Sequence, residues 1–175
     1  MKDTVIISAF PGCGKTHATT KLNGKTYNII DSDSSNFSWV KDENGNNTDE
    51  RNPDFPQNYI NHIKSNIGKV DVIFVSSHKE VRQALKENHM KFILVSPRQS
   101  MKSEWMNRFV QRGNTERFIN FMDTNWTQFI DDIHKEKDEY CIVNWLNRNH
   151  LYLDSEYLDF VFRTYMPKWS VSVNE

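Results

Sequence analysis

Two cysteines, Cys13 and Cys141, are all that this chain of 175 residues offers for disulfide chemistry. Neither their number nor their spacing suggests a disulfide framework or a thiolate metal site. Both read as reduced thiols of a cytoplasmic protein, in the host cytoplasm if the source is viral. Long apolar runs are missing too. Nothing approaches the ~20 residues of a membrane span, so no membrane partner is expected. "MKDTVIISAF" enters a strand pattern without the regions of a signal peptide. Net charge is also lacking: 22 Lys and Arg against 23 Asp and Glu leave -1 at neutral pH. That balance gives no general pull toward nucleic acid or an anionic surface, so nucleic acid is a possible but not a favoured partner.

What is present is an alternation of strand and helix patterns, expected as a single domain over 1–175. Apolar, β-branched runs mark strands at Thr4–Phe10, Tyr27–Asp31, Val70–Ser77, Lys91–Pro97 and Tyr140–Asn144. Helical spacing marks Thr16–Leu22, the stretch around Tyr59, Ile60, Ile63 and Ile67, and a short segment with Val81 and Leu85. A long aromatic-rich region follows from Trp105 to Ile133, broken near Arg112–Asn114. A last helix opens at a capping signal, Asp154 or Ser155. Lys41–Asp54 is polar, turn-rich and without periodicity, so it reads as a loop or an excursion. The alternation argues for an α/β fold with a parallel sheet covered by helices.

Between the first strand and the first helix lies "AFPGCGKT", Ala9–Thr16. It fits the phosphate-loop pattern G-x-x-x-x-G-K-[ST] except at the first position, where Ala9 replaces glycine. Gly12 and Gly14 let backbone N–H groups turn toward phosphate oxygens. Lys15 supplies a point charge to the β and γ phosphates of ATP, and the Thr16 hydroxyl can ligate Mg²⁺. The following helix directs its N-terminus at the anion. Pro11, Gly12, Cys13, Gly14, Lys15, Thr16 and His17 are therefore the candidate phosphate contacts. Cys13 reads as a backbone donor, with a reactive thiol as the alternative at a helix start.

The second strand ends in "DSDSSNFSW", Asp31–Trp39. Ligands of open α/β sheets gather outside the carboxyl ends of strands. Asp31 there could serve Mg²⁺ and Asp33 could take the proton of an attacking hydroxyl; the plain alternative is an Asx-turn that ends the strand. Ser34, Ser35 and Phe37, within a possible acceptor-binding excursion over 34–67, and His78 after the third strand are further candidates for the acceptor side. Phe37 and Trp39 could stack on a base or simply pack beneath the loop. The third strand ends in Ser76 and Ser77 without an aspartate, which counts against motor ATPases. After the fourth strand come Arg98, Lys102, Arg108 and Arg112. The last two lie four apart on one helical face, either as an ordinary solvated face or as phosphate-clamping groups.

The pair of motifs resembles P-loop kinases of the adenylate kinase and shikimate kinase type. With "RFVQRGN" it also resembles small kinases of bacterial viruses, over roughly residues 4–145. The resemblance implies a three-layer P-loop fold with a five-stranded parallel sheet in the order 2-3-1-4-5. It also implies a helical lid over 98–116 whose Arg108 and Arg112 clamp the moving phosphoryl group, with Asp31 on magnesium and Asp33 on the acceptor. The glycine-rich acceptor motif of shikimate kinases is absent; "VSSHKE", Val75–Glu80, stands in its place. The expected activity is an ATP-dependent small-molecule phosphotransferase, a nucleoside or nucleotide kinase using Mg-ATP, with catalytic Lys15, Asp33, Arg108 and Arg112. A polynucleotide or modified-base DNA kinase is one alternative and a nucleotide-dependent switch another. A GTPase is disfavoured, since "IVNWLNRNH" (142–150) lacks the guanine-selecting motif.

Overall fold

The structure is a computed structural model that describes residues 3–148 and 151–172. The end of the 142–150 stretch thus lies outside the described residues. The first strand, β1 (Thr4–Ala9), is buried along its whole length. Its β-branched, apolar run suits a strand covered on both faces. The chain continues through α1 (Lys15–Leu22), β2 (Ile29–Asp31) and a single turn α2 (Ser35–Ser38). There follow β3 (Trp39–Lys41), β4 (Asn47–Arg51), α3 (Gln57–Asn66), β5 (Val72–Ser76), α4 (Lys79–Glu87) and β6 (Phe92–Ser96). The remainder comprises α5 (Lys102–Gln111), α6 (Glu116–His134), β7 (Cys141–Trp145), α7 (Ser155–Thr164), α8 (Met166–Trp169) and β8 (Ser170–Val171).

The fold is α/β, with a mostly parallel sheet along β2-β5-β1-β6-β7. It has six strands rather than the expected five, because β8 joins antiparallel at the start of β1, with Thr4 opposite Val171. The order by strand number also departs from 2-3-1-4-5. A separate two-stranded sheet, β3-β4, intervenes after β2 and lies off the main path. The crossings between parallel neighbours carry helices whose apolar stripes face inward. α3 buries Tyr59, Ile60 and Ile63, and α6 buries Met122, Trp126, Ile130 and Ile133. The long helical region breaks at Gly113, whose φ of 72° favours glycine. Beyond it Thr115 caps α6 by accepting from the Phe118 N–H.

The segment 41–54, expected as a loop or an excursion, contains β4 and forms a hairpin with β3. Its turn is held by Asp42, whose Oδ1 accepts from the N–H groups of Asn44 at 2.9 Å and Asn46 at 2.8 Å. Its strands are fixed by Arg51, whose guanidinium lies 5.4 Å from the Trp39 ring centroid and 4.8 Å from that of Phe55. Arg51 also forms an ion pair with Glu80.

On the far flank, Glu136 ties α4 to the link between α6 and β7. It accepts from Arg82 at 2.9 Å and from Lys86 at 2.6 Å, and Lys86 also reaches Asp138 at 2.8 Å. Among the described residues, no helix is long and apolar enough to cross a membrane.

Candidate functional site

The segment joining β1 to α1 turns sharply at Gly12 (φ 85°) and Gly14 (φ 95°), conformations that favour glycine. Space demands glycine at the first of these as well. A Cβ on Gly12 would stand 3.0 Å from Trp105 Nε1 and 3.2 Å from the Phe109 ring.

The hydrogen bonding of this loop is one-sided. Phe10 O accepts from the Cys13 N–H, and Gly14 O from Ala18. Pro11 O accepts from Trp105 Nε1 at 2.8 Å and Gly12 O from Arg108 Nη1 at 3.2 Å. Cys13 O accepts from the Leu153 N–H at 3.0 Å, and Ala9 O from Lys15 Nζ at 3.1 Å. Every carbonyl from Ala9 to Gly14 is thus taken by the protein itself. The N–H groups of Gly12, Gly14, Lys15 and Thr16 donate to no acceptor among the described residues. They border a cavity of about 800 Å³ whose walls include Pro11, Gly12, Gly14, Lys15, Thr16 and His17. Four unspent donors at the start of a helix, beside a lysine, form an anion-binding surface.

Burial lowers the pKa of Lys15, while the nearby carboxylates of Asp31 and Asp33 oppose that shift. Cys13 is fully buried and lines no cavity. Burial pushes its thiol up to about 12, which opposes a reactive thiolate, and its N–H is spent on Phe10 O, so the expected backbone donation to phosphate is not available from Cys13 as it stands.

The carboxyl end of β2 supplies the acidic wall. β5 separates β2 from β1, so the two strands are not neighbours. Even so, the Thr16 hydroxyl donates to Asp31 Oδ2 at 2.8 Å. Asp33 Oδ1 accepts from the Ser35 N–H at 2.9 Å. This is the Asx-turn, yet Asp33 also lines the cavity, with Oδ2 left unengaged among the described residues. Ser34 is buried, its hydroxyl 2.7 Å from Ser76 Oγ. Phe37 packs on Tyr59 at 5.1 Å and on His62 at 4.8 Å. Of the acceptor candidates, Asp33 and His78 reach the cavity wall. Ser34, Ser35 and Phe37 are not on that wall: the Ser34 hydroxyl meets Ser76 of β5, Phe37 packs on Tyr59 and His62 of α3, and Ser35 gives its N–H to Asp33. Loss of water around the His78 ring lowers its pKa and favours the uncharged imidazole.

The opposite wall is basic. Arg108 does not stand free as a mobile clamp. Its guanidinium lies 3.9 Å from the Trp105 ring centroid and 4.1 Å from that of Tyr152. It donates to Gly12 O and Leu151 O and pairs with Glu104 at 2.7 Å, with 7% of the residue exposed. Arg112, one turn on, is exposed and lines the cavity. Lys102 is held by Asp123 at 3.1 Å, and neither it nor Arg98 lines the cavity. The 98–116 segment is therefore docked onto the loop through Trp105 and Arg108.

Gln111, Asn114, Phe118 and Tyr152 complete this wall, and sequence reasoning passed over all four. Tyr152 arrives from beyond β7, placed by the bond from Leu153 to Cys13, so no local pattern marks it. Asn114 Oδ1 is buried without a hydrogen-bond partner.

Among the described residues, no three His, Cys, Asp or Glu side chains gather as a self-sufficient metal site. The Thr16–Asp31 pair does fit magnesium, which takes one or two protein oxygens and completes its shell with phosphate and water. Comparison with protein-family models and with curated proteins finds no match.

Proposed function

We propose that this chain is a P-loop phosphotransferase that moves the γ-phosphoryl group of ATP to a small acceptor, in the manner of the kinases its motifs resemble. The observation that carries the reading is the one-sided loop: all carbonyls from Ala9 to Gly14 are engaged, while four N–H groups and Lys15 border the cavity. Such a surface accepts anions and rejects cations. Its breadth suits a polyphosphate better than a single carboxylate.

In this reading the loop holds the β and γ phosphates, and Lys15 neutralises charge between them. Thr16 and Asp31 would hold Mg²⁺, which would supply positive charge against the charge developing on the leaving group. Arg112 faces the same space with a solvated, planar guanidinium that can close over the equatorial oxygens of the transferred group. Arg108 keeps the loop in shape. The acceptor sits against Asp33 and His78, across the cavity from Arg112 and Tyr152. A nucleoside or nucleotide is the acceptor class that the resemblance favours.

The test is calorimetric binding of Mg-ATP, followed by acceptor-dependent release of ADP. The wild-type chain binds Mg-ATP and Lys15→Ala does not, with both melting at similar temperatures. Equal binding by the two proteins would refute the phosphate cradle.

A further inference from the structure

The cavity is electrically divided. Beyond β6, one flank carries Arg108 and Arg112, while Lys15 stands on the central β1–α1 turn within electrostatic reach of Asp31 and Asp33. The other flank carries Asp31, Asp33, Ser76 and His78: two carboxylates, a hydroxyl and an imidazole whose uncharged form is favoured. We infer that the acceptor is an uncharged alcohol of nucleoside or monosaccharide size, and neither a phosphate monoester nor the end of a nucleic acid. The inference rests on the phosphotransferase reading above.

A phosphate monoester brings about -1.5 to -2 charges at neutral pH. Next to Asp33 it would need a cation to receive it. The nearest arginine on that side, Arg51, is already committed to Glu80 and to the rings of Trp39 and Phe55, and it is absent from the cavity wall. Lys79 also lies outside the wall. Lys15 belongs to the phosphate loop. Among the described residues the acceptor side thus offers hydrogen-bonding groups and a base; the cations whose charge reaches His78 are Lys15, bonded to Ala9 O, and Arg51, paired with Glu80 outside the wall.

Nucleic acid is disfavoured by the hairpin attached to this rim through Arg51 and Glu80. It carries Asp42, Glu43, Asp49 and Glu50 against Lys41 and Arg51. A polynucleotide needs a track of cations along its backbone, and this rim has an acidic excess instead.

Asp33 is suited to a hydroxyl. The Ser35 N–H fixes Oδ1 and so orients the carboxylate, leaving Oδ2 for a donor. In the transfer the alcohol proton passes to Asp33 Oδ2 as the alcohol oxygen bonds to the γ-phosphorus. The bond from that phosphorus to the β–γ bridging oxygen breaks, and its electron pair leaves with ADP.

The experiment first establishes Mg-ATP binding by calorimetry; its absence would remove the phosphotransferase reading itself. The binding-competent protein is then given γ-labelled ATP and three sets of acceptors. These are the common nucleosides and monosaccharides, the nucleoside 5′-monophosphates, and a 5′-hydroxyl decanucleotide. Label entering the uncharged alcohols at a kcat/KM at least ~10-fold above both other sets is the expected result. Preferential labelling of monophosphates or of the oligonucleotide, or no labelled alcohol despite bound Mg-ATP, overturns the inference.

Discussion

Thr16, in the first turn of α1, donates its hydroxyl to Asp31 Oδ2 at 2.8 Å, although β5 lies between the strands that lead to the two residues. Two hard oxygens are thereby held together beside the phosphate loop before any ligand arrives. Asp31→Asn keeps the hydrogen bond to Thr16 but removes the charge. It should raise the Mg²⁺ concentration for half-maximal rate by ~10-fold and leave the maximal rate within reach at high Mg²⁺. A Mg²⁺ titration of the rate decides it; an unchanged midpoint would detach Asp31 from the metal.

Asp33→Asn separates the turn from the chemistry. The amide oxygen still accepts from the Ser35 N–H, so the local fold and the melting temperature should not change. The amide cannot take a proton, and transfer to the acceptor should fall by ~10³-fold while Mg-ATP affinity stays the same. Single-turnover rates alongside calorimetry read both quantities. Wild-type transfer in this variant would exclude Asp33 as base.

The two arginines of α5 and its end should part company. Arg108→Ala removes donors to Gly12 O and Leu151 O, breaks the pair with Glu104 and empties the slot between Trp105 and Tyr152. A loss of about 2–4 kcal/mol is expected, read as a lower urea midpoint. Arg112→Ala touches an exposed side chain and should leave that midpoint in place while kcat drops by ~10²-fold. The reverse pattern would return Arg108 to the role of clamp.

The Glu136 cluster should set the acid limit of the fold. Burial alone would raise the Glu136 carboxyl, but its bonds to Lys86 and Arg82 bring it below the ordinary value; Asp138 is lowered in the same way, chiefly by Lys86. Desolvation opposes the charge on Lys86, yet its two carboxylate partners raise its pKa. The carboxylates therefore stabilise the fold above their unfolded pKa, and that contribution is lost as pH falls through their depressed folded values. The lysine contribution is complete below its unfolded pKa and is lost as pH rises through the raised one. Stability from this cluster should be level between about pH 5 and about pH 10. Glu136→Gln should lower the urea midpoint at pH 7 and flatten its decline below pH 5. An acid limb as steep as the parent's would show that other groups set it.

What could be read from the chain beforehand follows from the range of each interaction. The shape of the β1–α1 turn is written in consecutive residues, because its two positive-φ positions fall on Gly12 and Gly14. The Asp31 and Asp33 placements were legible for the same reason: a strand end places them. The hairpin was not. "NTDER" has neither the alternation nor the β-branched content of a strand, and its order comes from Asp42 folding its own turn and from Arg51 lying across Trp39 and Phe55. Helical spacing leaves Arg108 as either a solvated cation or a phosphate clamp. Only the arrival of Tyr152 and the carbonyl of Gly12 turns it inward, and neither is near it in sequence. The residues around Phe37 leave it between stacking on a base and packing beneath the loop, and its contact with Tyr59 favours the second.

The partners of the loop carbonyls lie far along the chain: Trp105 reaches Pro11 across 94 residues and Arg108 reaches Gly12 across 96. In kinetic terms the anion site is therefore a late event. A chain that has emerged only through β6 has the residues of the β1–α1 turn but none of the donors to the carbonyls of Pro11, Gly12 and Cys13. Closing such long loops costs entropy that is recovered only when α5 and the segment before α7 dock. Competence to bind phosphate should thus appear together with the completed fold. Nucleotide, absent from the early stages, should slow unfolding far more than it speeds folding.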